Sequence, residues 1–131
     1  MSVAANSHLD SLGGLTEIIV ANKQLDLPTI VYPMLAHLSQ QSGNKWFTWI
    51  SNNVSSEKKS LSEFKFSRDK VRLINSKSHE EQLWMFWEAL AQGNSETVVA
   101  SFQYLTESER QKLEIAAIRG NTRGIVLIQR G

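Results

Sequence analysis

Apolar residues along this chain alternate between runs of strand length and stripes at helical spacing. Residues 16–20 end in the β-branched run Ile18-Ile19-Val20, punctuated beforehand by Gly13-Gly14, and read as a first strand. Val31, Met34, Leu35 and Leu38 then recur at helical spacing, and Gly43 offers a stop just past Ser42. The start of this helix stays open, because Pro28 and Pro33 both suit a first helical position. A helix that begins at Pro28 should be disturbed at Pro33, which lacks an N–H and crowds the preceding turn. Residues 45–50 (KWFTWI) form an aromatic and β-branched run that reads as a second strand. Residues 51–68 are polar, with Leu61, Phe64 and Phe66 as anchors of a short helix or a packed loop, and residues 71–74 read as a third strand.

The later elements announce themselves more clearly. Ser78 and Glu81 have the spacing of a capping box, in which each side chain satisfies a free backbone donor at a helix start. Leu83, Phe86, Trp87 and Leu90 then line one face, with Trp84 beside it, and Gly93 ends the helix. Trp87 is expected in the core, Trp84 less so. Residues 97–102 read as a strand. Thr106 and Glu109 repeat the capping spacing before a helix with Leu113, Ala116 and Ala117 inward and Gly120 as its stop. Residues 124–128 close the chain as a continuous apolar strand, the pattern of a strand covered on both faces. Strands alternating with helices imply a mostly parallel sheet with right-handed crossovers, so the expected fold is a single-domain α/β sandwich. Residues 1–13 are expected to be a flexible arm, and residues 14–131 one domain.

Composition narrows the function classes. At 131 residues the chain is long enough for one core without staples, and it holds no cysteine, which excludes disulfides, thiolate metal sites and a thiol nucleophile. With 14 basic and 13 acidic side chains, the net charge of +1 gives no reason to expect strong non-specific nucleic-acid binding. The first ten residues lack the basic and apolar regions of a signal peptide, and no run reaches the ~18 apolar residues of a membrane helix, so a cytoplasmic protein is expected.

Enzyme chemistry is mostly absent from the pattern. The connection after the first strand, ANKQLDLP, has no glycine with which to cradle a phosphate, and neither common nucleotide-binding motif occurs anywhere. His8, His37 and His79 are far apart and show no metal-ligand spacing. Trp46 and Trp49, three apart in one strand, point to opposite faces, which puts one in the core and leaves the other for a partner surface. Lys58, Lys59, Lys65, Arg68, Lys70 and Arg72, interleaved with Phe64 and Phe66, support an alternative reading as a single-stranded nucleic-acid-binding module. Glu57, Glu63 and Asp69 dilute that field, and a solvated loop explains the segment more simply.

Several segments, taken in order, carry a resemblance. The stretch PMLAHLSQQS at residues 33–42 leads closely into KWFTWI; GLTEIIV at residues 14–20 precedes it; ALAQGNSETVV at residues 89–99 follows. In this order and spacing, across about residues 14 to 129, the chain resembles the SulA family of bacterial cell division inhibitors. The resemblance implies a RecA-like core without its ATP site, induction by the DNA-damage (SOS) response, and no catalytic activity or cofactor. It implies FtsZ, the tubulin-like GTPase of the division ring, as the partner. SulA-like proteins cover the FtsZ end that carries the catalytic loop, so the next subunit cannot complete the GTPase site. Carried over by position, the family's partner-binding residues fall on Lys45, Ile50 and Lys70. A family tryptophan falls at Ser60, and Leu61 or Phe64 is expected to stand in for it. A homodimer is also implied. Some members carry a longer C-terminal tail read by a cytosolic protease; this chain stops at Gly131, so turnover by that route is not expected.

Overall fold

A computed structural model of the chain describes residues 13–129. The expected N-terminal arm therefore lies, but for Gly13, outside the described residues. Five strands, β1 (Gly14–Val20), β2 (Trp46–Ser51), β3 (Val71–Asn75), β4 (Ser95–Phe102) and β5 (Arg123–Gln129), form one sheet in the order β1-β5-β4-β2-β3. Every pairing is parallel. The chain starts at one edge, crosses to β2 and on to β3 at the far edge, then steps back through β4 to β5. Right-handed crossovers put the helices of outward steps on one face and those of return steps on the other. The core divides accordingly. Val31 and Leu35, before β2, pack with Phe47, Trp49 and Leu127 on one face. Phe86 and Leu113, from the return crossovers, pack with Ile50, Val98 and Val126 on the other.

The first crossover resolves the proline question. Asn22 caps a helical turn, α1 (Lys23–Asp26), by accepting from the Leu25 N–H at 3.2 Å. The chain continues through a π-helical stretch, residues Leu27–Val31, into α2 (Tyr32–Gln40). The Tyr32 N–H bonds back to the Leu27 carbonyl, five residues earlier. Widening the ladder just before Pro33 accommodates a residue that has no N–H to donate and whose ring would crowd an α-helical turn. The helix thus begins before Pro28 and passes both prolines, with the disturbance placed where the sequence requires it.

The polar segment after β2 is a helix, α3 (Val54–Glu63), capped by Asn53. It carries one electrostatic cost. Burial pushes the Glu57 carboxyl up to about 7, with Ser51 opposing the shift through a hydrogen bond. The folded chain therefore holds this proton more tightly than the unfolded chain does. Stability falls as pH rises from the unfolded value near 4.5 through the folded value near 7, and the full penalty is present above that. Glu57→Gln is expected to match the parent in urea unfolding near pH 4 and to exceed it by about 2 kcal/mol near pH 8. Equal gains at both pH values would show that the residue's charge is not what costs stability.

Helices α4 (His79–Gln92) and α5 (Glu107–Gly120) cover the other face. Thr106 and Glu109 form the complete capping box. At α4 only half of it forms: Ser78 accepts from the Glu81 N–H, but Glu81 accepts from the Lys77 N–H at 2.9 Å, one residue upstream. The buried stripe of α4 is Gln82, Phe86, Ala89 and Leu90. Trp87 and Trp84 lie outside it, 40% and 57% exposed and stacked on one another at 5.6 Å, which corrects the expectation for Trp87. Gln82 takes the inward place because both ends of its amide are used, accepting from the Ser76 hydroxyl and donating to the Ser101 carbonyl.

Gly120 is not the helix stop. Asn121 adopts the left-handed conformation that ends α5 (φ 49°). Gly120 instead lets α4 and α5 approach: a Cβ there would lie 1.9 Å from the Leu90 carbonyl oxygen. That oxygen belongs to helix backbone and cannot move alone. Gly120→Ala should cost about 3 kcal/mol by forcing the helices apart, read as a shift in urea midpoint; a loss below ~0.5 kcal/mol would show that the helices separate freely.

Candidate partner-binding surface

Lys45 and Lys70 are 25 positions apart in sequence yet start adjacent parallel strands. The register pairs Phe47 with Val71, and the Phe47 N–H bonds to the Lys70 carbonyl at 2.9 Å. Both lysines therefore sit at the N-terminal end of the sheet's β2–β3 edge. A turn containing Gly43 (φ 61°) delivers Lys45, whose N–H bonds to the Ser42 carbonyl. The β2–β4 pairing is irregular between Trp46 and Phe47, an extra residue on β4 that bends the start of the strand.

Trp46 follows Lys45 directly as the first residue of β2. It is 41% exposed, while Trp49 is buried, so the two tryptophans divide as strand alternation requires. The Arg72 guanidinium carbon lies 5.5 Å from the centroid of the Trp46 ring, a cation–π contact. One Arg72 amino group donates to the Thr48 hydroxyl at 3.1 Å, and Thr48 is itself hydrogen-bonded to Ser95. The Arg72 Nε has no partner among the described residues. The arrangement is a wide, flat apolar ring held against a fixed cation, at the end of the sheet where two lysines precede their strands. An apolar ring among cations suits recognition of an acidic protein surface.

The other expected site residues divide. Ile50 is fully buried, packed with Phe86, Val98 and Ala100. It touches no surface, and the expectation that it contacts a partner does not hold in this fold. Leu61 and Phe64 are half-buried and pack against the opposite face of the sheet, with Phe64 5.4 Å from the Tyr32 ring. They lie at the end of α3 and just beyond it, near the turn that leads to Lys70. That turn is pinned to α2: the Ser67 N–H donates to the Ser39 hydroxyl and the Gln40 amide donates to the Lys65 carbonyl. Ser60 is buried, so a tryptophan there would not fit this packing.

The same geometry removes support from the nucleic-acid reading. Phe66 is buried in a stack with Trp49 and offers no free ring face to a base, while the half-buried Phe64 packs at a tilt against Tyr32. The sequence offered Arg72 only as part of the alternative nucleic-acid cluster, not as a residue of the protein-binding surface. Its signal was the same-face, cross-strand position beside Thr48, which requires the strand pairing to be known. Among the described residues no group of three or more His, Cys, Asp or Glu could hold a metal, and no helix is long and apolar enough to cross a membrane.

Known proteins share this architecture. The chain matches the family model of the cell division inhibitor SulA over residues 13–124. It is 28% identical to the SulA of Serratia marcescens over 127 residues, 96% of this chain and 74% of that protein. It is 30% identical to the SulA of Yersinia pestis (strain Pestoides F) over 118 residues, 88% of this chain and 67% of that protein. The SulA of Pseudomonas aeruginosa is 29% identical over 97 residues, and there the chain spans only 60% of the relative's length. The crystal structure of SulA from Pseudomonas aeruginosa superposes with a TM-score of 0.81 at 25% identity, covering 88% of this chain and 98% of that one. The chain belongs to the SulA family, a family of cell division inhibitors rather than of enzymes.

Proposed function

We propose that this chain arrests cell division by binding FtsZ through the N-terminal end of the β2–β3 edge. The observation that carries the reading is that the Phe47–Val71 register sets Lys45 and Lys70 at the starts of adjacent strands, at the same end of the sheet as the exposed Trp46. Arg72 extends the positive field, and Leu61 and Phe64, half-buried on the opposite face of the sheet, are further candidates for contact. A binding hot spot needs a large, rigid anchor whose surroundings exclude water, and an indole held by a guanidinium supplies one. The lysines supply attraction toward an acidic partner, which raises the rate of encounter more than the lifetime of the complex. Inhibition by this route is occupancy. The bound chain covers the FtsZ end that carries the catalytic loop, the next FtsZ subunit cannot complete its GTPase site, and polymer growth stops without any chemistry from the inhibitor.

The test is FtsZ GTPase rate and sedimentation against increasing amounts of this chain, using FtsZ from the same bacterium. Inhibition should saturate near equimolar protein. Trp46→Ala, which removes a half-exposed ring and leaves the core intact, should weaken inhibition about thirtyfold, equivalent to ~2 kcal/mol. An FtsZ that polymerises and hydrolyses GTP unchanged in the presence of excess folded protein would sink the reading.

A further inference from the structure

The opposite end of the sheet holds a second feature that division arrest does not use. In open parallel α/β sheets, ligands bind beyond the carboxyl ends of the strands, where neighbouring connections leave toward opposite faces. Here that point lies between β2 and β4. The chain leaves β2 into α3, on one face, and leaves β4 toward α5, on the other. The divergence opens a cavity of about 570 Å³, within the usual range for small-molecule sites. Its walls include Ser51 at the end of β2 and Asn53 after it, Gln103 and Tyr104 after β4, and Gln129 at the end of β5.

The electrostatics of this cavity select a ligand class. Lys23 and Lys77 both line it. Glu57 is the carboxylate in its wall, and burial pushes its carboxyl up to about 7, so below neutral pH it is largely an uncharged donor. Two carboxylates outside the lining contact residues within it: Glu81 accepts from the Lys77 N–H, and Glu109, which accepts from the Thr106 N–H, lies 3.7 Å from His79 Nε2. The first turns of α3 and α4, at Asn53 and Ser78, also open here and add positive potential to that of the lysines. The floor is firm, because the Gln82 amide is bonded at both ends to Ser76 and Ser101. The remaining lining is rich in amides and hydroxyls rather than apolar groups, so the occupant must present hydrogen-bonding groups over most of its surface.

We propose that the cavity at the carboxyl ends of β2 and β4 is a binding site for a small hydroxylated organic anion, its charge held by Lys23 and Lys77 and its hydroxyl groups by the surrounding amide and hydroxyl side chains. The site lies a full strand length from the surface assigned to FtsZ, about 20 Å along the six residues of β2. It stands or falls independently of the division reading.

Backbone amide NMR of the intact chain near pH 6 tests it, with ribose 5-phosphate, citrate, inorganic phosphate and uncharged ribose as probes. At least one of the two hydroxylated anions should give saturable shifts, centred on Asn53, Glu57, Ser78 and Gln103, with a dissociation constant below about 1 mM. Inorganic phosphate should bind the same residues at least tenfold more weakly, and ribose should not bind. The Lys23→Ala/Lys77→Ala double variant should lose at least tenfold in affinity while its amide spectrum stays folded and its inhibition of FtsZ stays unchanged. The proposal is overturned by an absence of saturable shifts with both ribose 5-phosphate and citrate, by shifts indifferent to the double variant, or by inorganic phosphate binding as tightly as the organic anions.

Discussion

An Ile50→Asp variant is expected to lose its cooperative thermal transition and the near-UV circular dichroism of its packed tryptophans. Ile50 is fully buried between β4 and α4, against Phe86, Val98 and Ala100. Removing its aliphatic volume alone costs about 2–5 kcal/mol. The carboxylate adds the desolvation of a charge in a site that offers no cation, so the group would protonate or drag in water. Together these costs match or exceed the ~5–15 kcal/mol that holds a domain of this size folded. Ile50→Val, by contrast, should cost only about 1 kcal/mol and leave FtsZ inhibition intact. The pair of variants separates two meanings of a functional loss at this position. If Ile50→Asp stayed folded and merely failed to bind, the residue would have to be a surface anchor and the placement of β2 would be wrong.

The second large effect is electrostatic. Reversing both lysines, Lys45→Glu with Lys70→Glu, changes the charge at one small surface by four units without touching the core. Its association rate with FtsZ is expected to fall by about ten- to a hundredfold at low salt. The deficit should shrink as ionic strength rises, because at ~0.5 M salt the screening length drops to a few ångströms. Stopped-flow association at two salt concentrations reads this directly. Unfolding midpoints should hardly move, since both side chains are partly solvated and neither makes an ion pair in the described structure. A deficit independent of salt, or no deficit at all, would place the contact elsewhere. Arg72 then becomes the residue to change, since its Nε lacks a partner and its guanidinium is already positioned over Trp46.

Much of this protein is decided by local sequence. Ser78, Thr106 and Asn53 start helices because a short oxygen acceptor satisfies an N–H that would otherwise be free, and that requirement acts over three residues. The four buried residues Ile125–Ile128 declare a strand covered on both faces by their composition alone. The division of Trp46 from Trp49 follows from a two-residue period. Without β-branched and apolar periodicity of this kind there would be no parallel sheet to arrange.

Other features depend on contacts between residues distant in sequence, and only the tertiary structure decided them. Gly120 reads as a helix stop until Leu90, thirty positions away, is found against it. Trp87 shares an apolar stripe with Phe86 and Leu90, yet Gln82 takes the inward position because Ser76 and Ser101 complete its hydrogen bonds. Ile50 lies within β2 and Lys45 just before it, and the packing of β4 and α4 against β2 makes the first core while the second stays partly exposed. The order β1-β5-β4-β2-β3 also brings Lys45 beside Lys70, sets Arg72 over Trp46, and opens the cavity where β2 and β4 diverge. The physical reason is common to all of these. Local sequence sets which backbone groups are satisfied and which faces are apolar, whereas the choice of which apolar faces meet is made by burial summed over the whole sheet.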